Sequence, residues 1–506
     1  MTTDRGTGAV AGVLAAAVGL GAAELVAGAV PTGRSPVVAV ADRVIHLGPP
    51  AWEREVIRVL GTNDKPALVL IVLVALVALG ALAGTWATRR PLASRAIIAA
   101  AAVVGALSAL AEEDASWVHA LAPVAGGLAT AWTLTLLVRA TEDTTSSPLS
   151  PAGADRRRFL VAGTVAASVA AVAGASGRAL QGRVNAAASR QAVRLPSAAE
   201  PLPAIPAGAE LGLPGLTPFV TPNKDFYRID VSLIVPQVET SGWILRIDGM
   251  VDHPRTYTYE QLLARPLVEA DVTITCVSNE VGGGLIGNAR WLGVPLKELL
   301  DEVGPSAKAD QLVGRSVDGF TTGMPLATAV DGRDALLAVG MNGVPLPLRH
   351  GFPARLIVAG LYGYVSATKW LRQIEVTRFD AYTPYWIERG WDTYGPIKLE
   401  SRIDTPGGTV AAGRVPVAGV AWAQGRGIER VEVRVDDGAW RDAVLAEAVG
   451  ADTWRQWHYD WDAPVGRHQL MVRATAGDGE VQTGDEALPF PNGATGWHTV
   501  GVRVKA

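Results

Sequence analysis

Five apolar stretches crowd into the first 180 residues, at about 9–30, 66–87, 95–111, 118–138 and 159–176. A helix needs roughly 20 residues to cross a bilayer. Lipid admits only helices or closed barrels, because every backbone N–H and C=O must find a partner inside the chain. Residues 1–180 are therefore expected to form an α-helical transmembrane bundle of about five helices. The first and fifth stretches are rich in Ala and Gly, which allows close helix packing. Residues 35–65 mix apolar side chains with Arg43, Glu53, Arg54 and Glu55 and read as an extramembrane loop with an amphipathic helix.

Charge orients such a bundle. Arg89, Arg90 and Arg95 separate the second and third stretches, and Arg139 with Arg156-Arg157-Arg158 separates the fourth and fifth. Glu112-Glu113-Asp114 lies between the third and fourth. Short Lys/Arg-rich loops stay cytoplasmic, so the N-terminus is expected inside and everything after about residue 180 on the extracytoplasmic side of the plasma membrane. Arg156-Arg157-Arg158-Phe159-Leu160 also has the form of a twin-arginine export signal, although a stop-transfer cluster reads equally well. Glu24 and His119 are the main ionisable groups in or near the stretches and read as snorkelling or capping residues. So few intramembrane charges argue against a transporter. The net charge of −4 gives no reason to expect a nucleic-acid partner.

Residues 181–216 are dense in Pro and Ala and read as a linker. From 217 to 400 short β-like runs (243–247, 272–275, 354–358, 374–376) alternate with helical ones (259–264, 295–303), which predicts an α+β domain. From 401 to 506 the pattern is strands alone, at 410–421, 428–436, 456–461, 468–474 and 499–504. Regular strands with Gly/Asp turns predict an all-β immunoglobulin-like sandwich. Trp422, Trp440, Trp454, Trp457, Trp461 and Trp497 are expected mostly in its core.

Cys276 is the only cysteine in 506 residues. It excludes an intramolecular disulfide, a Cys-ligated iron–sulfur cluster and a Cys-x-x-Cys-His haem site. An alternating apolar strand runs into it and a glycine-rich turn follows, ending at Gly282-Gly283-Gly284. A lone cysteine is usually a small buried hydrophobe. One thiolate at a strand end also suits a soft metal whose other ligands come from a cofactor.

Several blocks around that thiol occur together. Thr275-Cys276-Val277-Ser278-Asn279 is followed by Gly287-Asn288-Ala289-Arg290-Trp291-Leu292-Gly293-Val294. Met341-Asn342-Gly343 and Leu346-Pro347 precede His350-Gly351-Phe352-Pro353-Ala354-Arg355, and Gly360-Leu361-Tyr362-Gly363 precedes Lys369-Trp370-Leu371. In this order the exported half, about 215–506, resembles the molybdopterin-dependent oxidoreductases of the sulfite oxidase family. The resemblance implies a sulfite-oxidase-like molybdopterin domain, a molybdenum–molybdopterin cofactor and a C-terminal domain of dimerisation type, hence a homodimer through that domain.

It also assigns roles. Cys276 is implied as the metal ligand and, with Arg228 and Arg290, as catalytic. Asn223, Tyr227, Arg228, Asp318, His350, Arg355, Lys369, Trp370 and Leu371 are implied as cofactor contacts. Read on their residues alone, some of these have plainer roles. Arg355 could pair with a carboxylate, His350 and Asp318 could cap turns, Trp370 is a core tryptophan, and Arg290 is either anion-binding or a structural ion pair. Glu280 stands where sulfite oxidases proper usually carry a base, and Phe320-Thr321-Thr322 where they carry a tyrosine. An acid near the metal would repel sulfite, with Arg228, Arg290 or Arg426 as remaining anion sites. The implied enzyme transfers an oxygen atom on a small sulfur- or nitrogen-oxide substrate. It exchanges electrons with a separate cytochrome or quinone-linked partner. The alternative is a cofactor-free membrane receptor or assembly protein on the same fold.

Overall fold

The computed structural model describes residues 5–30, 34–48, 64–111, 115–142, 154–181 and 186–506. The chain divides into two compact units, one of residues 1–185 with 232–234, the other of residues 186–231 with 235–506.

The first unit is helical. α1 (Arg5–Ala29), α2 (Pro36–Leu47), α3 (Asp64–Trp86), α4 (Pro91–Leu110), α5 (Leu121–Glu142) and α6 (Ala154–Gln181) succeed one another. Among the described residues five helices are long and apolar enough to cross a membrane: Arg5–Ala29, Lys65–Trp86, Pro91–Leu110, Trp117–Ala140 and Leu160–Leu180. α1 packs against α3, α5 and α6, and its small residues are what permit this. A Cβ on Gly12 would run into the Gly80 carbonyl oxygen of α3, and one on Gly19 into the Thr130 hydroxyl of α5. Apolar side chains face outward: Leu70, Ile71, Val74, Val103, Leu107 and Leu128 are exposed, which a bundle in water would not favour. α2 is the helix expected within 35–65, and Glu53, Arg54 and Glu55 lie outside the described residues. So do Glu112-Glu113-Asp114 and the side chains of Arg156-Arg157-Arg158.

Gly12→Val should therefore destabilise the bundle by about 1–3 kcal/mol through overpacking. Gly174→Val, with nothing within 4 Å of its Cβ, should be close to neutral. Thermal unfolding of the helical signal in detergent compares the two.

The second unit carries four sheets. Its first ten strands are β1 (Ile244–Gly249), β2 (Arg255–Thr258), β3 (Val268–Thr275), β4 (Ile286–Pro295), β5 (Gln311–Ser316), β6 (Thr321–Pro325), β7 (Ala335–Met341), β8 (Val344–Pro345), β9 (Arg355–Val358) and β10 (Leu371–Thr377). One sheet has the order β2-β1-β10-β5-β6. The other runs β3-β4-β7-β8, with β9 paired to β7. β3 is buried on both faces: Ala270, Val272 and Ile274 pack with Trp291 and Phe352. On its other face Thr273 donates to Asn288 Oδ1 at 2.9 Å and accepts from the Trp454 N–H at 2.8 Å. Its alternation therefore places Cys276 directly beyond a rigid strand.

The Pro/Ala-rich stretch expected as a linker is instead pinned along this unit. Arg190 donates to the Leu346 carbonyl at 2.7 Å, the Ala199 N–H to Leu267 O at 2.8 Å, and the Leu211 N–H to Gln456 Oε1 at 2.7 Å. Backbone amides that would need water in a free linker are spent on the domain.

The C-terminal region is β-rich. It comprises β11 (Glu400–Thr405), β12 (Gly408–Ala411), β13 (Gly413–Trp422), β14 (Ile428–Val435), β15 (Arg441–Asp442), β16 (Val444–Leu445), β17 (Arg455–Ala463), β18 (Gly466–Ala476) and β19 (His498–Lys505). The sheets run β11-β13-β17-β16 and β12-β19-β18-β14-β15, and Val417, Trp457, Val431, Leu470 and Val502 of both share one core. The single strand expected at 410–421 is two: β12 pairs with β19 in one sheet and β13 with β11 and β17 in the other. Gly413, at φ 118°, makes the break. The tryptophans also divide. Trp457 and Trp461 sit in this core, but Trp422 and Trp454 belong to the core of the preceding domain. Trp440 and Trp497 meet edge to face at 5.0 Å, half-buried, with the guanidinium of Arg473 4.4 Å above the Trp440 ring. Cations supply the cover there that a core would otherwise give.

Candidate active site

Cys276 closes a loop that is tied back on itself. Its N–H donates to Leu285 O at 2.9 Å, its carbonyl accepts from the Asn279 N–H at 3.0 Å, and Asn279 Oδ1 accepts from the Leu285 N–H at 2.8 Å. The thiol, 8% exposed, lines a cavity enclosing about 880 Å³ of empty space, mouth included. Around it stand Tyr227, Asp230, Ser278, Ser316, Asp318, His350, Arg355, Lys369 and Trp370.

Three basic side chains converge there. Arg355, at the first residue of β9, is buried. Its guanidinium reaches only the carbonyls of His350 at 3.2 Å and of Leu356 and Ala367 at 3.4 Å, and stacks 5.1 Å above Trp291. No carboxylate among the described residues pairs with it, and burial pulls it down to about 10. Lys369 donates to Asp230 at 3.0 Å and to Ile229 O at 2.9 Å. Burial lowers it to about 8, with Asp230 pulling upward. His350 is held to about 3 by burial and then by the Arg355 charge, so it is neutral at pH 7. Its Nε2 lies 3.0 Å from Asn223 O, which can only accept. Nε2 therefore carries the proton and Nδ1 the lone pair. Gly351, at φ 108°, makes the convergence possible: a Cβ there would come 3.0 Å from Lys369 Cβ and 3.1 Å from Arg355 Cβ. Burial pushes the Cys276 thiol up, and hydrogen bonds from Ser278 and then the Lys369 charge oppose it.

The expected site residues separate into two groups. Tyr227, Cys276, Asp318, His350, Arg355, Lys369 and Trp370 all line the cavity. Asp318 also caps its turn, accepting from the Phe320 N–H at 3.2 Å. Trp370 is buried, as a core residue would be, yet its backbone takes φ 51° at the cavity wall. Asn223 supports the site from behind through His350 and by accepting from Asn342 Nδ2 at 2.8 Å.

Five residues do not fit their expected places. Arg228 is paired with Asp230 at 2.6 Å and does not line the cavity. Arg290 is gripped by both Asp271 oxygens, at 2.9 and 2.7 Å, directly across the β3–β4 register. Of its two readings the ion pair holds. Leu371 is fully buried in the core, where its carbonyl accepts from Trp243 Nε1 at 3.0 Å. Glu280 is exposed and outside the cavity lining, because the Cys276–Asn279 turn carries it outward. It is therefore not the cavity-lining acid expected beside the metal. Arg426 pairs with Asp478 and Glu480 on an exposed turn.

Sequence reasoning missed Asp230, Tyr364, Trp386 and Trp391, all in the cavity wall. The visible signal for three of them was Tyr382, Tyr385, Trp386 and Trp391 within ten residues, and Tyr364 beside the Gly360 turn.

The domain model described as oxidoreductase molybdopterin binding domain matches residues 232–386. An uncharacterised oxidoreductase, YuiH of Bacillus subtilis, is 34% identical over 158 residues, which cover 31% of this chain and 76% of that protein. The chain belongs to the sulfite oxidase family of molybdopterin-dependent oxidoreductases. Mitochondrial sulfite oxidase of Rattus norvegicus is 29% identical over 340 residues, covering 56% of this chain; the chain spans 62% of that relative's length. The sulfane dehydrogenase SoxCD of Paracoccus pantotrophus aligns with TM-score 0.49 and 24% identity, over 57% of this chain and 84% of that one. Family membership makes the chain an enzyme that uses a molybdenum–molybdopterin cofactor. The cavity suits such a group. A buried guanidinium with no carboxylate among the described residues needs an anion, and Arg355 lines the same cavity as the Cys276 thiol.

One further carboxyl near the loop titrates abnormally. Glu400, buried on β11, is pushed up to about 8 by burial, with Asn279 and Lys398 pulling the other way. Its folded pKa lies above the ordinary value of 4.5. Its contribution to stability is thus complete below about pH 4.5 and is lost as pH rises through about 8. Glu400→Gln keeps the neutral shape, so its unfolding temperature should change less between pH 5 and pH 9 than the wild type's. Equal slopes would contradict the assignment.

Proposed function

We propose a membrane-anchored molybdenum oxidoreductase whose catalytic unit lies on the extracytoplasmic side. It transfers an oxygen atom on a small sulfur- or nitrogen-oxide substrate and exchanges electrons with a separate redox partner, a cytochrome or a quinone-linked protein. The observation that carries this reading is the conjunction of the chain's sole thiol with a buried, carboxylate-free Arg355 in one cavity.

Cys276 would bind the molybdenum. No group of three His, Cys, Asp or Glu able to hold a metal occurs among the described residues, so the remaining ligands would come from the pterin dithiolene and solvent. Arg355 and Lys369 would meet the pterin phosphate as charge-assisted donors. His350 would offer an acceptor at Nδ1, Tyr227 and Asp318 would contact the pterin, and Trp370 would close the wall. Asn223 would fix the His350 tautomer. When bound, the cofactor supplies two-electron oxygen-atom chemistry, and the chain binds it, orients it and keeps water out.

The five apolar helices with outward-facing Leu and Val support anchoring. The Arg-rich connections around 89–95 and 139–158 support a cytoplasmic N-terminus. The run at 156–160 would serve export of the folded, loaded domain. The two C-terminal sheets, sharing one core, support an immunoglobulin-like sandwich that could pair two copies of the chain. Metal analysis of the full chain from molybdate-replete cells should give about one molybdenum per chain. A molybdenum-free preparation from such cells contradicts the reading.

A further inference from the structure

The cavity is chemically two-sided. Its ionisable lining residues are Asp230, Asp318, His350, Arg355 and Lys369, besides Cys276 and two tyrosines. Of the cations among them, Lys369 shares the Asp230 carboxylate with Arg228 outside the cavity, and Arg355 is given to the cofactor. His350 is neutral. The arginines that might capture an inorganic oxyanion are engaged elsewhere: Arg228 by Asp230, Arg290 by Asp271 and Arg426 by Asp478 and Glu480. None of the three lines the cavity. An oxyanion entering there would give up its water and meet, among the described lining residues, no cation without a partner or an assigned role.

The rest of the wall is aromatic. Trp386 and Trp391 line it 6.4 Å apart at 80°, and Tyr364 packs on Trp391 at 6.0 Å. Outside this layer Phe490 braces Trp391 at 5.4 Å and Tyr385 braces Trp386 at 5.0 Å. Arg389 lies 3.6 Å from the Tyr385 centroid, donates to the Tyr385 carbonyl at 3.0 Å, and does not line the cavity. Rings braced from behind are a preformed surface for an apolar or aromatic group and lose little freedom on binding.

Resting on the proposed oxygen-atom transfer, we infer that Trp386 and Trp391 determine specificity. They select a neutral organic sulfoxide or N-oxide bearing an apolar substituent over an inorganic oxyanion. For the sulfoxide the balance is simple. The S–O bond breaks, two protons and two electrons are taken up, and the products are the thioether and water. The electrons come from a one-electron donor, reduced benzyl viologen in the assay, and the reverse reaction returns them.

The test uses the molybdenum-loaded full chain and two probes that are not turned over, methyl phenyl sulfone and sulfate, titrated by calorimetry. The sulfone should bind at least tenfold more tightly than sulfate. Trp386→Ala and Trp391→Ala should each weaken the sulfone roughly three- to tenfold, the scale of one lost aromatic contact. Trp386→Phe and Trp391→Phe should restore most of it, with molybdenum content unchanged throughout. In turnover of methyl phenyl sulfoxide the alanine variants should raise KM more than they lower kcat. Sulfate binding as tightly as the sulfone, or loaded alanine variants with unchanged sulfone affinity, overturns the inference alone. A molybdenum-free preparation from molybdate-replete cells overturns the proposed function and the inference with it.

Discussion

Arg355→Met should yield an apoprotein more heat-stable than the wild type and unable to keep its cofactor. The guanidinium is 4% exposed, has no carboxylate among the described residues, and reaches carbonyls only at 3.2–3.4 Å. A buried charge so poorly compensated costs several kcal/mol, and replacing it with an apolar chain of similar length recovers part of that. The apoprotein, made in a host lacking the cofactor, should gain about 1–4 kcal/mol. The same substitution removes the strongest fixed donor for an anionic phosphate, and cofactor retention should fall at least about a hundredfold. A purely structural arginine would behave oppositely: the variant apoprotein would be weaker and molybdenum content unchanged.

Cys276→Ser should lose turnover by at least about a thousandfold per bound molybdenum, because a hard alkoxide replaces a soft thiolate in the metal's own shell. The fold should hardly notice. The substitution is nearly isosteric, and the loop is set by the backbone bonds Cys276 N–H to Leu285 O and Asn279 N–H to Cys276 O, and by Asn279 Oδ1 accepting from the Leu285 N–H. The pterin should remain as well, since Arg355, Lys369 and His350 are untouched. Turnover with an artificial electron carrier, normalised to molybdenum, measures the loss. Activity within tenfold of wild type would remove Cys276 from the chemistry.

The parts of this molecule legible in its sequence are those fixed by local pattern. Apolar runs near 20 residues became helices because such a run has few other stable solutions, and β3 followed from its alternation. The placement of Cys276 at a strand end was visible because glycine turns mark where strands stop. His350, Arg355 and Lys369 were found because ordered motifs carry them. What stayed hidden depends on register and partners. Arg290 became an ion pair only because β3 and β4 set it opposite Asp271, and no spacing in the sequence encodes that pairing. Arg228 was claimed by an aspartate two residues on. The chain passes from one sheet to another at Gly413 without interrupting its β pattern, so one strand was read where two exist. The aromatic wall escaped because tryptophan usually signals core, and Trp386 and Trp391 are half-buried.

The proposed bond between the Cys276 sulfur and molybdenum can be tested directly. X-ray absorption at the molybdenum edge should show one more sulfur neighbour in the wild type than in Cys276→Ser, with the pterin sulfurs common to both. An identical sulfur count in the two proteins, each loaded with metal, would contradict the assignment of this thiol as the protein's metal ligand.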